Sequence, residues 1–77
     1  MQGFNSWLCE QKNYKERSAR DACSRLRRVY LILNKESVNN DTVEELEKNE
    51  EFKELSISVR SQLRKSVRLY LEYKGIK

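Results

Sequence analysis

The side chains best suited to chemistry in this chain are arginines in helical register. Arg17, Arg20, Ser24 and Arg27 follow one another at steps of three, four and three residues, with Arg25 and Arg28 on neighbouring rows. Towards the C-terminus Arg60, Arg64 and Arg68 are four apart, with Ser61 and Lys65 alongside. At about 3.6 residues per turn, such spacings lay each set along one face of a helix. A guanidinium is a planar fork that grips phosphate oxygens and guanine edges through two hydrogen bonds at once, which a lysine ammonium cannot do. The chemistry on offer is therefore recognition of a polyanion, by phosphate neutralisation and some reading of base edges.

The distribution of charge sharpens that expectation. Net charge is +4 over 77 residues. Residues 12–28 carry seven basic and two acidic side chains, and residues 55–77 six basic and one acidic, a net of +5 each. Between them, residues 36–54 carry eight acidic and two basic, a net of −6. A surface built only for solubility intersperses acids with bases at i,i+4. Here the acids are kept on a separate segment. The carboxylates of Glu44, Glu45, Glu47, Glu50, Glu51 and Glu54 are expected on a solvated face.

Other chemistries lack their residues. There is no His, which removes the commonest general base and metal ligand. Two cysteines, Cys9 and Cys23, cannot build a four-ligand zinc site without it. Neither Gly3 nor Gly75 has a second glycine near it to form a phosphate loop. The expectation is a protein that is no enzyme, holds no metal or cofactor and has no small-molecule substrate. No run of 18 apolar residues exists to span a membrane, and residues 1–5 lack the basic and apolar regions of a signal peptide. Both cysteines sit at helical core spacing and are read as free, buried thiols in a reducing cytoplasm.

Helices must position the arginines. Pro is absent and the two glycines lie near the ends, so nothing in the middle of the chain breaks a helix by backbone chemistry. A first helix is expected over 2–11, with Phe4, Trp7, Leu8 and Gln11 on one face. Asn13 with Glu16 three residues on resembles a helix start. A second helix over 15–33 carries the stripe Ala19, Ala22, Cys23, Leu26, Val29, Tyr30 and Leu33, and Asn34 closes it. A short helix begins at Asp41, with Glu44 completing a capping arrangement and Val38, Val43 and Leu46 as apolar contacts. Asn49 caps a single turn ending near Lys53, with Phe52 and Leu55 turned inward. The last helix runs over 58–74 from a Ser56 or Ser58 cap. It buries Val59, Leu63, Val67, Tyr70 and Leu71, with Ser66 beside them and Tyr73 at the rim, and stops at Gly75. The prediction is one compact all-α domain over 1–77 with four or five helices, two of them long.

Three pieces in this order resemble a known family. They are Phe4-x-x-Trp7-Leu8, then Tyr14-Lys15-Glu16-Arg17-Ser18-Ala19 with Leu26-Arg27-Arg28, then the tail from Leu55 through Val59, Leu63 and Val67 to Arg68-Leu69-Tyr70-x-x-Tyr73. Together they look like the core-binding domain of tyrosine recombinases of the phage-integrase type. The resemblance implies a SAM-like helical bundle that packs over duplex DNA, its second and last helices along the major groove, as in DNA recombination. Carried over by position, it makes Arg17, Arg20, Ser24, Arg27, Arg60, Ser61, Arg64 and Arg68 the expected DNA contacts. The chain departs from the family in three ways. Lys15 stands where a capping Ser is usual, and Cys23 near a position that is often aromatic. The catalytic domain with its nucleophilic tyrosine is missing. The chain is therefore read as a binding module that does not cut DNA, either free-standing or part of a larger recombinase. The other reading is a protein-interaction module, an adaptor or a small phage-type inhibitor, which docks a partner protein or pairs with itself head to tail through its opposite charges.

Overall fold

The computed structural model describes residues 2–75. They form five helices, α1 (Gln2–Gln11), α2 (Glu16–Leu33), α3 (Thr42–Lys48), α4 (Glu50–Lys53) and α5 (Ile57–Lys74), with no strand among the described residues. The protein is an all-α bundle. Its radius of gyration of 12.0 Å is close to the ~11.5 Å expected of a folded chain this long.

Each long helix ends where its sequence provides a stop. Asn34 closes α2 in the left-handed conformation (φ 53°, ψ 47°), and Gly75 closes α5 at φ 73°. The Ser56 hydroxyl accepts from the Val59 N–H at 3.2 Å and starts α5, and the Asn49 side chain accepts from the Phe52 N–H at 3.0 Å and starts α4. Two expected caps are not formed. Asn13 is left-handed (φ 56°) and turns the chain, while Lys15 occupies the cap position of α2. Asp41 is helical and its side chain caps nothing. Asn39 does that work, accepting from the Asp41 N–H at 2.8 Å while its own N–H donates to the Thr42 hydroxyl at 2.8 Å. This exchange satisfies the Thr42 hydroxyl, which is buried.

Helices α2 and α5 pack against each other and run antiparallel. Lys12, just before α2, pairs with Glu72 near the end of α5. At the opposite end Asn49, which starts α4 eight residues before α5, donates to the carbonyl of Ile32 near the end of α2. The small residues Ala19, Ala22 and Ser66 are buried in this region, and the Ser66 hydroxyl is satisfied by the Leu63 carbonyl at 2.7 Å. α1 lies over the C-terminal half of α5. The Phe4 ring meets Tyr70 edge-on at 5.1 Å and Tyr73 at 5.6 Å, and Trp7 meets Tyr73 at 5.6 Å. Gly3 belongs to this contact, since a Cβ there would lie 2.4 Å from the Tyr73 hydroxyl. α3 and α4 cover the other end, where Leu46 and Phe52 are fully buried. Gln11, expected on the buried face of α1, is exposed, and Cys9 is only half-buried.

Candidate nucleic-acid interface

An open groove of about 680 Å³ runs between α2 and α5. α2 supplies Ser18, Asp21, Ala22 and Arg25, and α5 supplies Gln62, Lys65, Ser66 and Leu69. The connection from α1 to α2 closes one end with Lys12, Asn13, Tyr14 and Lys15. Four cations and one carboxylate therefore share the groove, with amide, hydroxyl and phenol groups between them. Lys12 is engaged by Glu72 and lies 5.6 Å over the Trp7 ring. Lys15, Arg25 and Lys65 form no ion pair among the described residues.

None of the eight expected contacts lines the groove. The reason is helical geometry. Residues two apart on a helix point about 200° apart, so the presence of Ser18 and Arg25 in the groove turns Arg20 and Arg27 to the other edge of α2. The same relation separates Gln62 from Arg60 and Arg64 on α5. Arg64 reaches away to Glu47 of α3 at 2.7 Å and lies 5.9 Å over the Phe52 ring, with its side chain 26% exposed. Arg60 is partly buried, and its Nε has no hydrogen-bond partner among the described residues. Arg20 pairs within its own helix with Glu16, and Ser24 and Arg27 are exposed on the same flank. The two rows therefore do not merge into one ridge.

Three of the eight stay near the groove. Arg17 shares a row with Asp21, Arg25 and Arg28 at steps of four, four and three, and Ser61 and Arg68 share one with Lys65 at four and three. Arg17, Arg28, Ser61 and Arg68 are all exposed. The sequence carried a usable signal for this edge. Arg25, Arg28 and Lys65 stand beside the two arginine rows, and the small, buried Ala22 and Ser66 line the groove between them.

Lys15 carries a further signal. It occupies the cap of α2 with the extended backbone a cap requires (φ −70°, ψ 155°), yet its side chain makes no capping bond. A cation there also faces the positive end of the helix. Replacing it in the variant Lys15→Ser is expected to raise stability by about 1 kcal/mol, some 4–8 °C in Tm for a domain this size, measurable by thermal unfolding. The same change removes one groove cation.

Burial pushes the Cys23 thiol above its ordinary pKa, against the pull of nearby Arg27. It stays protonated at neutral pH and is a poor nucleophile. Burial likewise raises Tyr30, with the neighbouring Tyr70 adding to it. Both cysteines are free. No helix of the described residues is long and apolar enough to cross a membrane. No family model, no curated protein and no solved structure matches this chain.

Proposed function

We propose that this chain is a non-catalytic, cytoplasmic DNA-binding module that lays its α2–α5 groove along the sugar-phosphate backbone of a duplex. One observation carries the reading: Lys15, Arg25 and Lys65, which form no ion pair among the described residues, line a single groove with the Glu72-bound Lys12, and Asp21 is the one acid among its described lining residues. Lys15 and Arg25 are ten residues apart, about 15 Å along the helix direction at ~1.5 Å per residue. Phosphates of one strand advance about 3.4 Å along the duplex axis, so this span matches about four of them. Arg17, Arg28 and Arg68 on the rims extend the contact to about six phosphates. Ser18, Gln62 and Asn13 add neutral donors between the charges, of the kind that fix register on a backbone. The resemblance to the core-binding domain of tyrosine recombinases supports the same partner and the same two helices. The assignment of individual contacts changes, with Lys15, Arg25 and Lys65 in place of Arg20, Ser24, Arg27, Arg60 and Arg64.

Binding to a random-sequence duplex, followed across salt concentrations, tests the proposal. About six neutralised phosphates give a slope of log affinity against log salt near −5. A flat response, or no retention of duplex at low salt, overturns it.

A further inference from the structure

The groove leaves the outer flank of α2 unused, and that flank has a pattern of its own. Arg20, Ser24, Arg27 and Leu31 follow at steps of four, three and four, so a cationic row ends in an exposed leucine. Leu31 is 81% exposed and lines a second hollow of about 430 Å³ with Tyr30, Arg27, Lys35 and Glu36, its walls mainly apolar. Lys35 is held by Glu45, whereas Arg27 has no ion pair among the described residues.

The chain also carries the complement of this surface. Ile57, the first residue of α5, is 75% exposed, and Leu31 and Ile57 are the large apolar side chains left out in the open among the described residues. Glu54 and Glu51 precede Ile57 by three and six residues, are exposed, and form no ion pair among the described residues. An apolar knob beside acids and an apolar hollow beside a base thus sit on the same molecule. Because α2 and α5 are antiparallel, the end of α2 and the start of α5 lie at the same end of the bundle.

We infer that a second copy of this chain docks here, each Ile57 entering the hollow formed by Tyr30 and Leu31 of the other, with Glu54 along Arg27. Placement of both patches at one end lets a single two-fold contact satisfy both at once, whereas patches at opposite ends would generate an open chain. The contact lies on the edge of α2 turned away from the groove, so pairing leaves both grooves accessible.

Sedimentation velocity of the free protein over a range of concentrations, without nucleic acid, tests this separately from the duplex experiment. A reversible dimer is expected, weakened by salt. Ile57→Ser and Leu31→Ser each remove an apolar contact made twice in a two-fold pair, which weakens dimerisation about a hundredfold. Both side chains are exposed, so helicity by circular dichroism is unchanged. Arg27→Glu also weakens the dimer, and the double variant Arg27→Glu/Glu54→Arg restores it. A monomer at all concentrations, assembly beyond the dimer, or a dimer indifferent to both serine variants overturns the inference.

Discussion

Phe52→Ala is expected to cost about 3–5 kcal/mol, the usual penalty for emptying a phenylalanine site in a core. A domain this size has about 4–12 kcal/mol in total. The variant therefore loses about a quarter or more of its stability, and its Tm falls by roughly 12–40 °C. Phe52 has this leverage because α4 is a single turn from Glu50 to Lys53, too short to persist without packing. Its ring is fully buried and lies beneath the Arg64 guanidinium. Removing it also takes away the surface on which Arg64 rests while that residue bonds to Glu47. Urea unfolding with circular dichroism measures the loss. A shift below about 1 kcal/mol, the scale of an ordinary substitution, would show that α4 contributes little to the core.

The second large effect is on binding. The double variant Arg25→Glu/Lys65→Glu replaces two positive charges in the groove by two negative ones, facing each other from α2 and α5. Each lost phosphate contact lowers the salt slope by about 0.9, so the slope falls by about 2, and affinity at moderate salt drops by at least a hundredfold. Arg20→Ala/Arg64→Ala removes two cations from outside the groove and is expected to leave the slope within about one unit of the parent. A filter-binding titration on one duplex at several salt concentrations distinguishes the two pairs. Equal losses from both would mean that the whole surface, rather than the groove, attracts DNA.

Much of the fold is legible because local signals agree with the packing. The stripe of α2, the Asn34 and Gly75 stops, and the Asn49 turn that inserts Phe52 are all written in residue type and spacing. Failures occurred where two side chains could serve one backbone site. Asn13 resembles a cap in sequence, but an asparagine also tolerates the left-handed conformation, and the chain uses it that way. Asp41 lost its role to Asn39 and Thr42, which satisfy each other. The site was less legible than the fold for a geometric reason. Sequence periodicity reveals which residues share a row, but not how far a helix is rotated about its axis against its neighbours. That rotation depends on packing between side chains distant in sequence, which on α5 includes the Phe4 and Trp7 rings against Tyr73 and Phe52 under Arg64. It turned Arg25 and Lys65 into the groove, and Arg20 and Arg64 out of it.

The Arg64–Glu47 contact has an effect that reaches beyond the folded surface. It sets the acidic α3 against the edge of α5 away from the groove, so the Glu47 carboxylate and the groove cations stand apart. Under the proposed function, a polyanion would orient such a molecule before contact, the groove towards it and the carboxylates outward. The gain would fall on the association rate and would fade as counterions shorten the range of the field.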